Sequence, residues 1–181
     1  WNPRHTIPPL IHPPAGPLLR GLQTLETGES WLVQPREDAQ NPRVWSPGIK
    51  IGVQPGSYTH RTEFFGPLLG VMRAESLDDA IAMANATPYG LTSGLHSLDV
   101  REQRQWIAAI DVGNGYVNRE TTGAIVQRQP FGGRKASGFG PGAKAGGPNY
   151  ILQLMQLAQK GLPNVSTPVN SMLLPVLKGV L

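Results

Sequence analysis

The chain has 181 residues, 39% of them hydrophobic, enough for one domain or a large piece of one and too many for a disordered polymer. A net charge of +4 and a pI near 9.7 raise the question of nucleic acid, but the basic residues are dispersed and no aromatics interleave with them, so no nucleic-acid partner is expected. Cysteine is absent, which excludes disulfides, thiolate metal sites and a cysteine nucleophile from these residues; no apolar run reaches membrane-spanning length, so no transmembrane segment is expected.

The start, Trp1-Asn2-Pro3-Arg4, has neither a signal-peptide hydrophobic region nor an initiator Met. The expectation is a cytoplasmic protein whose chain is processed or cut from a longer one. Residues 1–17, with "PPLIHPPAGP", read as irregular or polyproline structure. "WLVQP" at 31–35 is a short strand, and residues 36–48 form a loop with turns at Asn41-Pro42 and Pro47-Gly48. "IKIGV" at 49–53 alternates as a strand does.

"PLLGVMRA" at 67–74 reads as a buried strand. Ser76 then caps a helix, "SLDDAIAMANA", with Asp78 and Asp79 at its positive end and Leu77, Ala80, Ile81 and Ala84 on one face. "TPYG" ends it and "LTSGLHS" is the next strand. Asp99, with Glu102 three residues on, opens a helix whose inner face is Val100, Ile107 and Ile110; Gly113 stops it, and "GYVN" at 115–118 is a third strand. Strand, helix, strand, helix, strand with short turns argues parallel β-α-β units, an α/β fold, and ligands at the carboxyl ends of the strands. From Tyr150 the apolar Ile151, Leu154, Met155 and Ala158 fall at helical spacing, as a terminal helix or an oligomer contact would require.

Glu63 stands in "TEFFGP", at the mouth of the 67–74 strand. A carboxylate can accept hydrogen bonds from two vicinal hydroxyls, and Phe65 can lie against a flat heterocycle. Taken alone, the same residues suit a solvated acid beside a core phenylalanine. In "NRETTGAIVQRQPFGG" the backbone around Gly123 can cradle an anion, and Phe131 with Gly132-Gly133 can wall a pocket, though turn glycines in an ordinary loop read alike. The segment "GGRKASGFGPGAKAGGPN" fails the phosphate-loop spacing, since Ala143 stands five residues after Gly138 and Ala145 follows Lys144. Ser137 has no Gly-x-Ser-x-Gly frame, and the four histidines lack ligand spacing, so no metal site is expected.

In series, "EFFGP", "NATPYGLTSGLHSLD", "GNGYVN" and "PFGGRKASGFG" resemble the C-terminal part of the aldehyde dehydrogenase family. "WSPGIKIGVQPGSYTHRTEFFGP", "TTGAIVQRQPFGG" and "FGPGAKAGGPNY" resemble its pyrroline-5-carboxylate dehydrogenase branch, as found in bacterial bifunctional proline-utilisation proteins, over residues 17 to 153. The resemblance implies part of the aldehyde dehydrogenase catalytic domain with a C-terminal extension. Residues 1–129 are then the C-terminal portion of that domain, 130–150 a glycine-rich active-site and crossover segment, and 151–181 a tail. It implies NAD as cofactor, bound mostly by a missing N-terminal part, and L-glutamate γ-semialdehyde as substrate, oxidised to L-glutamate in proline catabolism. Glu63 matches the acid holding the nicotinamide ribose and Phe65 the aromatic beside it. Gly123 and Ala124 match the loop that anchors the substrate carboxylate by backbone N–H groups, and Phe131 the aromatic on its aliphatic part. The family's chemistry needs a cysteine nucleophile and a glutamate base that match nothing here. No catalytic residue is therefore expected in this chain, which should be inactive alone and a homo-oligomer when complete. The competing reading is a non-catalytic assembly module or gene remnant.

Overall fold

The computed structural model describes residues 7–122, 129–138, 144–147, 150–159 and 175–178. The chain divides into two compact units, one of residues 1–88 and 97–110 and one of residues 89–96 and 111–181. The fold is α/β with parallel strands.

The first helix of the first unit, α1 (Gly16–Gln23), starts inside the stretch 1–17 expected to be irregular and runs beyond it. Pro17 occupies the first turn, where its missing N–H costs nothing and its fixed φ favours the start of a helix. A three-stranded sheet follows, ordered β1 (Ser30–Val33), β2 (Gly48–Ile51), β3 (Leu68–Gly70). The β1 strand is antiparallel to β2, whereas β3 is parallel to it. The β2–β3 crossover carries a short helix, α2 (Tyr58–Arg61). Among the described residues β3 stands at the edge of this sheet, and Leu69 and Val71 are exposed where a buried strand is expected.

Alternation in β2 runs with the opposite parity to a simple apolar face. Lys50 is buried and Ile51 exposed. Lys50 Nζ lies 3.0 Å from Glu29 Oε2 and 3.3 Å from Thr59 Oγ1, with the Trp31 ring centroid at 5.2 Å. Burial pushes the Glu29 carboxyl up, but hydrogen bonds from Thr59, the Glu26 N–H and Lys50, together with the Lys50 charge, outweigh it and hold the pKa below the ordinary 4.5. A depressed carboxylate pKa adds stability above its unfolded value and loses it as pH falls through the folded one. The chain's melting temperature should therefore drop as pH falls below about 4.5. Thermal melts of wild type and Glu29→Gln across acid pH test this; the variant should lack that component of the drop, and parallel curves would refute it.

Two more helices complete the unit. In α3 (Leu77–Asn85) the Ser76 hydroxyl accepts from Asp79 N–H at 3.1 Å, a cap worth about 1 kcal/mol, and Asp79 accepts from the N–H of Glu75, one residue before the cap. Ile81 is its buried anchor. Asp99 caps α4 (Val100–Ala109) by accepting from Arg101 N–H at 2.8 Å. Its inner face is not the expected one. Val100 and Ile107 are exposed and Trp106 is buried, because the larger indole takes the inward position and turns the face with it. Among the described residues no helix is long and apolar enough to cross a membrane.

The second unit pairs β4 (Tyr89–Gly90) antiparallel to β7 (Arg134–Lys135), and β5 (Thr92–Leu95) parallel to β6 (Asn114–Val117). The expected strand–helix–strand series is thus split: β3 pairs in parallel with β2, and β5 with β6. The helix α4 ends at Ala109, with Ile110 as its cap, before Gly113, whose role is a close backbone approach. The tail forms no α-helix among the described residues. A single 3-10 turn (Ile151–Leu154) leads into β8 (Gln156–Gln159), antiparallel to β9 (Pro175–Lys178). Pairing with a second segment satisfies the backbone of "QLAQ" and overrides its helical spacing.

Candidate functional site

The candidate residues fall in both units, and each group is built on its own fold. In the first unit, Glu63 and Phe65 ride on the turn that links α2 to β3. Three contacts fix that turn. The Phe64 ring meets Tyr58 edge-on at 6.0 Å between centroids, and Tyr58 in turn carries the Arg20 guanidinium at 3.9 Å. The Phe64 ring also fills a notch in α1, where a Cβ on Gly21 would stand 2.5 Å from its Cε1. A Cβ on Gly66 would likewise meet Leu18. The imidazole of His60 holds the preceding loop: Nδ1 accepts from Gly56 N–H at 2.8 Å, and Nε2 donates to the Met83 carbonyl at 2.9 Å.

With Phe64 turned inward, its neighbours face out. Phe65 is 88% exposed and has a φ of +51°, a left-handed backbone that costs a bulky residue about 1–2 kcal/mol. Glu63 is exposed, and no described residue donates to its carboxylate. An outward aromatic beside an exposed carboxylate can meet a flat ring and accept hydrogen bonds from hydroxyls. Next to this turn lies an open cleft of about 770 Å³, bounded by residues 7–15 on one side and by Leu18 and residues 64–67 on the other. Its wall is apolar apart from His12.

In the second unit Phe131 is half-buried and exchanges two hydrogen bonds with Ala145, each 2.9 Å. The glycines around it stand where backbones nearly touch. A Cβ on Gly113 would overlap the Gly132 carbonyl, and one on Gly133 would overlap the Ser137 carbonyl. Ser137 Oγ accepts from Gly90 N–H at 3.2 Å, which ties this segment to β4. Arg134 Nε lies 2.9 Å from Asp111 Oδ1 in a largely exposed pair, worth little by itself. Tyr116, buried in β6, accepts from Gln129 Nε2 at 2.8 Å, and the Arg119 guanidinium sits 5.1 Å from its ring. Gly123 and Ala124 lie outside the described residues.

Lys144, Asn114 and Tyr116 were not singled out by sequence pattern as site residues. Burial of Lys144, and the positive charge of Arg134, hold its pKa below the ordinary lysine value. No local signal marks such a residue, since its partners are carbonyls 12 and 31 positions away.

The profile of the aldehyde dehydrogenase family matches residues 17–159. Proline utilization A from Corynebacterium freiburgense is 55% identical, with a TM-score of 0.80 over 88% of this chain and 17% of its own. A 1-pyrroline-5-carboxylate dehydrogenase from Thermus, solved with bound NAD, is 32% identical, with a TM-score of 0.67 over 75% of this chain and 26% of its own. Among curated proteins, the 1-pyrroline-5-carboxylate dehydrogenase of Staphylococcus epidermidis is 40% identical over 113 residues, 61% of this chain. This chain spans only 21% of that relative and 10–11% of the bifunctional proteins it also matches.

Proposed function

This chain belongs to the aldehyde dehydrogenase family, and from that premise we propose that it is the C-terminal portion of an NAD-dependent enzyme that oxidises L-glutamate γ-semialdehyde to L-glutamate. The observation that carries the reading is 55% identity to proline utilization A across 88% of the chain. The outward Glu63–Phe65 turn supports the cofactor end of it, because its carboxylate and ring are both available to a ligand.

Bound NAD would supply the hydride acceptor. Glu63 would accept hydrogen bonds from the nicotinamide ribose hydroxyls, and Phe65 would limit where the ring can lie. Gly123 and Ala124 would donate backbone N–H groups to the substrate carboxylate, and Phe131 would pack on its methylene chain. These groups bind and orient. A thiol nucleophile must come from other polypeptide, since this sequence has no cysteine. The chain alone is therefore proposed to be inactive.

Reconstitution tests the reading. The chain is mixed with, or fused to, the Corynebacterium freiburgense protein lacking its matching segment, and NADH formation from L-glutamate γ-semialdehyde is followed. Activity should require both parts. A folded, associated mixture that produces no NADH would end the proposal, and so would turnover by this chain alone. In the active assembly, Glu63→Gln should slow turnover and raise the KM for NAD, together about tenfold in kcat/KM, as loss of a charged hydrogen bond predicts. Unchanged kinetics would remove Glu63 from the cofactor site.

A further inference from the structure

The backbone around Phe131 is held from three directions. Phe131 N–H and C=O both bond to Ala145, at 2.9 Å each. The next carbonyl, of Gly132, accepts from Lys144 Nζ at 3.0 Å and from Asn114 Nδ2 at 3.1 Å. The same ammonium donates to the Gly113 carbonyl, at the foot of β6, and Asn114 Nδ2 also donates to the Leu91 carbonyl at 2.9 Å. Upstream, Gln129 is bonded to the Tyr116 hydroxyl.

Lys144 and Ala145 are neighbours, so one short segment grips the peptide on both sides of the Phe131 side chain. Pro130 packs against the same segment, where a Cβ on Gly147 would stand 3.2 Å from Pro130 Cβ. An apolar side chain would fill the Lys144 position without the desolvation of a partly buried cation. What a lysine adds is a long, charged donor that reaches two carbonyls on separate segments. Those carbonyls belong to the strand foot and to the residue after Phe131, so the cation fixes the distance between them.

We propose that Lys144 is a positioning residue that sets where the Phe131 ring meets the aliphatic chain of the substrate. This rests on the substrate assigned above. A wall that touches the methylene chain equally in ground and transition states changes KM and leaves kcat alone. Loss of Lys144 should therefore appear as a substrate-selective rise in KM.

Three variants test it: Lys144→Met, which keeps the length without donors, Lys144→Arg, which restores them, and Lys144→Gln, which keeps a shorter, uncharged amide donor. In the full chain with ¹³C-labelled phenylalanine, the Phe131 ring resonance should shift in Lys144→Met and return in Lys144→Arg, while Phe64 stays put. In the reconstituted enzyme, Lys144→Met should raise KM for the semialdehyde about tenfold, with kcat and the KM for NAD within about twofold. Lys144→Arg should recover most of the loss. Should Lys144→Met not fold, Lys144→Gln carries the test with a rise of about threefold. Equal losses in kcat and both KM values would show a merely structural lysine and overturn the proposal, as would an unmoved Phe131 resonance. If the wild-type assembly makes no NADH, the functional reading fails separately, and the resonance still decides whether Lys144 holds Phe131.

Discussion

Replacing Lys50 with methionine should destabilise the chain by about 3–5 kcal/mol, because it strands the Glu29 carboxylate in the interior. The two side chains are 1% and 0% exposed and their charged atoms are 3.0 Å apart. Methionine fills the volume but supplies neither charge nor donor, so Glu29 must stay ionised without its cation or take up a proton. Urea denaturation at neutral pH measures the loss as a lower midpoint at constant slope. The double variant Glu29→Gln with Lys50→Met separates the two causes. It removes both charges, so most of the loss should return. A single-variant loss under about 1 kcal/mol would mean that water reaches the pair, as at an exposed salt bridge.

The same residue shows where sequence pattern stops. "IKIGV" alternates, and the strand it predicts is there, but periodicity cannot say which parity faces inward when a lysine has an acid waiting 21 positions upstream. Caps were legible because they are local: Ser76 and Asp99 each bond an N–H two or three residues on. The strands at 68–70, 92–95 and 114–117 were legible from apolar runs and turn signals, while the partner of each was not. Pairing is decided by chain elsewhere, which is also why "QLAQ" became a strand against residues 175–178. In α4 the 3.6-residue pattern was read through its aliphatic residues, and Trp106 outweighed them by area.

Of the candidate site, the turn bearing Glu63 and Phe65 could be read because its whole device is contiguous: acid, two aromatics, glycine, proline. The sequence did not reveal which phenylalanine turns inward; the notch at Gly21 in α1 decides that. Phe131 was visible beside its glycines. What holds it was not, since Lys144, Asn114 and Gly132 meet only after the chain has folded back twice.

The second large effect concerns that folding back. Gly113→Ala should cost about 3 kcal/mol or more, at the upper end of overpacking substitutions. Its Cβ would overlap the Gly132 carbonyl oxygen and stand 2.7 Å from Gly132 C and from Gly133 Cα. No flexible side-chain end can yield, since all three atoms are backbone. That backbone is also pinned: Gly113 N–H donates to Gly90 C=O at 2.8 Å, Asn114 N–H to Leu91 C=O at 3.0 Å, and Asn114 and Lys144 hold the Gly132 carbonyl. Gly56→Ala is the comparison. Nothing lies within 4 Å of its Cβ, so only the left-handed φ of +79° is at stake, about 1 kcal/mol. Urea midpoints of the two variants should differ by about 2 kcal/mol or more. If they match, the approach of Gly113 to Gly132 is loose. If Gly113→Ala also displaces the Phe131 resonance, one steric contact and one ammonium fix the same aromatic through the Gly132 carbonyl.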